Sequence, residues 1–218
     1  MGAGAEGIEA NRLNDVNFAK DHKAMSRAGW MRSGAGLFTA CLMLLGSQAC
    51  AQHAHIDPAS GYRISHYRAV VPDTAPGATR VGTQEVEEFF KEGKVAFIDV
   101  LPSTGAGFDP NTGQWRLSET HANIPGSKWL PDVGRGNPDA VLDRYFALNL
   151  KAVTGGDKSG AILIYCKADC WMAWNAVKRA AGYGYTNIYW YPDGIDGWAE
   201  WDNPTAPAVP VPVTVVSE

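Results

Sequence analysis

The segment AILIYC, residues 161–166, constrains this chain most. Five apolar residues in a row, with no polar alternation, suit a strand buried on both faces. Such strands belong to parallel sheets covered by helices. Two similar runs occur, VAFIDV at 95–100 and NIYWY at 187–191. Between and around them lie stretches of helical spacing: TQEVEEFFKEG at 83–93, residues 139–153, and WMAWNAVKRAA at 171–181. Thr83 is placed to cap the first helix and Gly93 to stop it; Gly155 with Gly156, and Gly182 with Gly184, close the other two. Strands alternating with helices predict an α/β fold: an open, mostly parallel sheet with helices on both faces, in a single domain. Ligands in such sheets sit beyond the carboxyl ends of the strands, which is where AILIY delivers Cys166.

The predicted domain runs over residues 83–204. An N-terminal extension and signal peptide occupy 1–51. An extended arm follows over 52–82, rich in Pro and Gly, and a disordered Pro- and Val-rich tail covers 205–218. The signal reading rests on Arg27 and Arg32, the uncharged run GAGLFTACLMLLG at 34–46, and the small-residue exit around Ala49 and Ala51. The run is shorter than the roughly 20 residues of a membrane span, so no stable span is expected after cleavage. Met25 or Met31 is then the natural start. A lipid on Cys50 is disfavoured, because Ser47 stands three residues before it where a Leu-like residue is needed. Cleavage after Ala51 removes Cys41 and Cys50 and leaves two of the four cysteines, Cys166 and Cys170. An exported chain meets an oxidising compartment, where neighbouring thiols pair. For a Gram-negative-type cell that is the periplasm. A net charge of -4 without a Lys/Arg cluster argues against nucleic acid.

The chemistry concentrates in YCKADCWMAWNA. A cysteine between a buried strand and a helix faces backbone N–H groups and the positive helix end, which favour thiolate over thiol. Cys166 is therefore the expected nucleophile, with Lys167 adding charge. Lys167, Ala168, Asp169 and Trp171 form the substrate loop. Taken alone, a buried cysteine is core filler; its place on the ligand side argues for function. Cys170 lies four residues on, and either a helical turn or a tight loop brings the two Cα atoms about 6 Å apart, within disulfide range. The pair can then cycle between dithiol and disulfide. Zinc is disfavoured, since two cysteines supply half a structural site and His121 is remote in sequence, so no metal is assigned. Asp109, Asn111 and Gly113 in DPNTGQW have the spacing of a calcium loop, but the later carboxylate ligands are missing and a turn is expected. Trp190 and Trp198 read as core, whereas Trp171, in the loop, is a candidate for stacking or docking.

The ordered pieces resemble a rhodanese-like domain. FIDV, ending in Asp99, is similar to its acidic strand end; HANIPGSKWLP, beginning at His121, to its His-Ile-Pro-Gly segment; ILIYC and its loop to its active-site loop; IYWYPDGIDGW to its closing strand, turn and Trp-ended helix. Asp99 is expected to orient a loop and His121 to stabilise a turn. Cys170-Trp171 further resembles the PQQ-dependent catabolism-associated CXXCW motif proteins. That likeness implies a periplasmic role accessory to alcohol oxidation, beside a quinoprotein dehydrogenase or cytochrome system, with PQQ associated by resemblance only and no cofactor otherwise expected. The expected partner at the loop is a small sulfur-containing substrate or a protein thiol or disulfide. Trp171 stands where sulfurtransferases usually place Arg, Asp169 adds negative charge, and Lys167 is the one cation. This weakens thiosulfate transfer through a Cys166 persulfide and favours thiol redox chemistry. A non-catalytic binding module presenting an exposed Trp171 is the third alternative.

Overall fold

The computed structural model describes residues 55–105 and 107–214. The signal segment, Cys41 and Cys50 lie outside the described residues. The elements in chain order are β1 (Thr79–Arg80), α1 (Thr83–Glu92), β2 (Ala96–Asp99), β3 (Ala122–Asn123), β4 (Lys128–Trp129), α2 (Ala140–Val153), β5 (Ile162–Tyr165), α3 (Trp171–Gly182), β6 (Ile188–Tyr191), α4 (Gly194–Glu200) and β7 (Ala206–Pro207). Five strands form one sheet in the order β1-β6-β5-β2-β4, every pairing parallel. This is the open α/β sheet expected. Among the described residues no helix is long and apolar enough to cross a membrane.

Alternation along β5 divides the core. Ile162 and Ile164 pack with Ile98, Trp190, the α2 residues Tyr145, Phe146 and Leu150, and the α3 residues Met172, Ala176 and Val177. Leu163 and Tyr165 point the other way, against Val86, Tyr191, Ile195 and Trp198. Successive side chains of a strand take opposite faces, so an uninterrupted apolar run is what a sheet buried on both sides requires. Trp190 and Trp198 are core, as expected, at 0% and 1% exposure.

Three expectations are corrected. Thr83 does not cap α1: Gly82 holds that position, and its N–H donates to Glu85 Oε2 (3.0 Å), while the Thr83 hydroxyl bonds the Tyr191 hydroxyl (2.8 Å). The sheet also starts before residue 83, because β1 adds its edge beside β6. The tail is ordered through residue 214 rather than disordered from 205. β7 pairs antiparallel with β3, Val211 N–H donates to Trp129 O, Val213 N–H donates to Gly113 O, and Val213 is 3% exposed. The Trp115 indole and the Tyr145 hydroxyl both donate to Val211 O. Prolines, which lose little freedom on ordering, make such a strap affordable for a segment with few apolar anchors.

Burial raises the hydroxyl pKa of Tyr145, Tyr165, Tyr183 and Tyr191. Tyr191 is pushed up to about 12 by burial first, with the charges of Asp193, Glu200 and Glu87 adding and the Thr83 bond opposing. The folded protein therefore holds protons that the unfolded chain releases above pH 10. This contribution to stability is whole below pH 10 and is lost as pH rises through about 12. The urea midpoint should fall over that interval, and less steeply in Tyr191→Phe; a midpoint unchanged above pH 10 contradicts the assignment.

Candidate active site

Cys166 directly follows β5, and Cys170 is the residue from which α3 starts. The two are joined as a disulfide, with Cα atoms 6.1 Å apart. Of the two routes to that spacing the chain uses the tight loop. Asp169 takes a left-handed conformation (φ 52°), which Asp tolerates better than most residues and which turns the chain back on itself. Behind the loop, Gly194 (φ 58°) packs so closely that an added Cβ would stand 2.3 Å from the Cys166 carbonyl oxygen. Ile195 N–H donates to that oxygen (2.9 Å), and Ala168 N–H donates to Asp196 Oδ2 (3.1 Å).

The arm forms the other wall. It reads as an extended surface segment in sequence, yet it meets the loop through one antiparallel bridge, Arg68 opposite Cys170. Trp171 N–H donates to Tyr67 O (2.8 Å), and Ala69 N–H donates to Asp169 O (3.1 Å). Two loop amides, those of Ala168 and Trp171, are therefore engaged away from sulfur. Asn175, fully buried in α3, fixes the arm: its Oδ1 accepts from Arg63 N–H (3.0 Å), and its Nδ2 donates to Arg63 O and Gly134 O (2.8 Å each).

Cys166 and Cys170 are 1% and 4% exposed, but together they floor a cleft of about 470 Å³. Its walls come from the arm (Tyr67, Arg68), the segment after β2 (Leu101, Pro102), the loop (Lys167), α3 (Met172) and α4 (Asp196). All of these follow strands at the carboxyl edge of the sheet or are laid across it.

The residues expected at the site divide clearly. Cys166, Lys167 and Cys170 share the cleft. Ala168 serves through its backbone. Asp169 is exposed, and the acid that lines the cleft is Asp196. Trp171 does not present its ring. It is the first residue of α3, 1% exposed, with the Arg63 guanidinium 4.6 Å above its ring and its indole N–H donating to Val70 O. The exposed docking tryptophan is thereby corrected: the arm covers it. Asp99 and His121 are not among the residues lining the cleft; they are bonded to each other through His121 Nε2 and Asp99 Oδ2 (2.5 Å). Asp99 Oδ1 accepts from Leu101 N–H (2.9 Å), so Asp99 orients the segment carrying Leu101 and Pro102 rather than the cysteine loop. Burial raises its carboxyl pKa, opposed by the His121 bond and charge, the Leu101 bond and the Lys167 charge. Tyr67, Arg68, Leu101, Pro102, Met172 and Asp196 were missed in sequence. The β-forming run YRAVV at 67–71 was the one available signal. Asp109 closes a turn, as expected: its carboxylate accepts from Asn111 N–H (2.8 Å) and pairs with Arg116.

A family model for the rhodanese-like domain matches residues 82–200, and the chain belongs to that family. Similar solved structures include a thiosulfate sulfurtransferase from Pseudomonas aeruginosa: 12% identity, 64% of this chain, 22% of that chain, TM-score 0.43. A polysulfide-sulfur transferase homodimer from Wolinella succinogenes matches at 17% identity, over 79% of this chain and 93% of that chain, TM-score 0.38. The BH2092 protein from Bacillus halodurans matches at 16%, over 59% and 77%, TM-score 0.39. No curated protein matches.

Proposed function

We propose that this rhodanese-like chain is an exported thiol–disulfide protein whose working group is the Cys166–Cys170 pair. The observation that carries it is the bond between two cysteines across a three-residue turn, at the carboxyl end of the central strand and on the floor of a cleft. A thiolate entering the cleft attacks Cys166 Sγ and forms a mixed disulfide. The Cys166–Cys170 bond breaks, and its electron pair leaves on Cys170 Sγ, at the helix end that stabilises negative charge. A second thiolate displaces Cys166, releasing an external disulfide and leaving the protein as a dithiol. The reverse sequence reduces an external disulfide to two thiolates and re-forms the Cys166–Cys170 bond. Attack at Cys166 is favoured because it displaces Cys170, the better-stabilised leaving thiolate.

Export to the periplasm is supported by the charged, apolar and small-residue pattern of residues 27–51. A role beside PQQ-dependent alcohol oxidation, with a quinoprotein dehydrogenase or cytochrome partner, is supported by the Cys170-Trp171 likeness. The three-residue spacer is one longer than that family's motif. The second reading, sulfur transfer through a Cys166 persulfide, gains from the cleft cation Arg68, which the loop sequence does not contain.

The mass of the protein taken from its native compartment, with and without alkylation, tests the proposal. The expected chain begins after Ala51, takes no alkyl group before reduction and takes two after it. One extra sulfur on Cys166 supports transfer instead. Two thiols that alkylate without reductant, and do not re-pair in air, overturn the disulfide reading.

A further inference from the structure

The cleft has a charge and a shape of its own. The chain carries a net charge of -4, yet two exposed cations, Arg68 from the arm and Lys167 from the loop, flank the disulfide. Neither is held in an ion pair among the described residues. The acid of the cleft, Asp196, has one oxygen bound to Ala168 N–H and so belongs to the loop's own structure. Leu101, Pro102 and Met172 give the same cleft an apolar part of its lining. The volume of about 470 Å³ lies in the range usual for organic ligands. A few-atom inorganic anion would leave most of that space, and the apolar wall, uncovered.

We infer that the partner of the Cys166–Cys170 pair is an organic thiol or disulfide carrying carboxylates close to its sulfur, held by Arg68 and Lys167 with its carbon frame against Leu101, Pro102 and Met172. The inference rests on the proposed exchange at this disulfide. Arg68 is a specificity residue supplied by the arm: arm–loop pairing through Tyr67 and Ala69 sets Arg68 beside Cys170. The same chemistry is offered by a free acidic thiol and by a cysteine among acidic residues of a peptide.

The test measures opening of the disulfide in the full chain by mercaptosuccinate, mercaptoethanol and cysteamine, and by a Glu-flanked cysteine peptide. Each rate is normalised to that thiol's rate with a small neutral disulfide. At low salt mercaptosuccinate should exceed cysteamine by about tenfold, with mercaptoethanol between them, and added salt should compress the series. Arg68→Glu should abolish or invert the order while mercaptoethanol still opens the pair; its exposed side chain makes the substitution tolerable to the fold, and Arg68→Gln gives the intermediate. The peptide outpacing mercaptosuccinate identifies a protein segment as the source, and the opposite order a free thiol. Equal normalised rates, unchanged in Arg68→Glu, overturn the inference and leave the exchange reading standing. Thiosulfate opening the pair faster than mercaptosuccinate also overturns it. If no thiol opens the disulfide, the exchange reading falls, and this inference with it.

Discussion

Replacing Cys170 by Ser leaves a protein that starts exchange and cannot finish it. With disulfide substrates, Cys166 should accumulate as a mixed adduct, and turnover should fall by about a thousandfold or more, as when a covalent partner is removed. Cys166→Ser should lose the adduct as well as turnover. If Cys170→Ser retains most of its turnover, and a persulfide is found on Cys166, the chain is a sulfurtransferase of the ordinary kind. Mass spectrometry of the trapped species separates the outcomes. Stability changes do not confuse them. The disulfide spans a sequence separation of 4, and closing so short a loop contributes only about 2 kcal/mol through the unfolded chain. A bond placed for stability alone would gain more from a longer loop.

Replacing Asn175 by Leu should be the more damaging change to the fold. The amide satisfies three backbone groups, Arg63 N–H, Arg63 O and Gly134 O, at a position with no exposure. Stranding buried polar groups costs about 1–3 kcal/mol each, less where water reaches them after the arm lifts. A net loss of about 3–5 kcal/mol, and a melting point lower by about 10 °C, is expected. Asn175→Asp retains the acceptor but sets a buried carboxylate oxygen against the Arg63 and Gly134 carbonyls, and should cost at least as much. The arm should also become open to trypsin at Arg63 and Arg68, and the lifted arm should slow exchange by removing Arg68. A loss under about 1 kcal/mol by urea unfolding would mean the arm is held elsewhere.

Much of the fold was legible because burial on both faces leaves a strong mark. Uninterrupted runs at 95–100, 161–165 and 187–191 are the three inner strands, and the helical spacing before and between them is α1 to α3. A turn feeding a short strand was legible in residues 121–131, where β4 lies, but β1, β3 and β7 were not: each is two residues, and no periodicity exists in two residues. The tail failed for a related reason: Val211 and Val213 anchor it against partners some 80 to 100 residues distant, among them Trp129 and Gly113, and composition does not report such partners.

At the site, the sequence by itself determined which two sulfurs meet. A cysteine at the end of AILIY, with a second one four residues later, follows from chain order, because strand direction places it at the carboxyl edge and the short separation makes pairing local. Only the tertiary structure decided what surrounds those atoms. Arg68 stands about a hundred positions from Cys170, Asp196 belongs to a later helix, and Trp171 is covered by a segment that no local pattern ties to it. Local chemistry is written in neighbouring residues, whereas a cleft is made by backbone pairing between distant segments, which depends on where the whole sheet puts them.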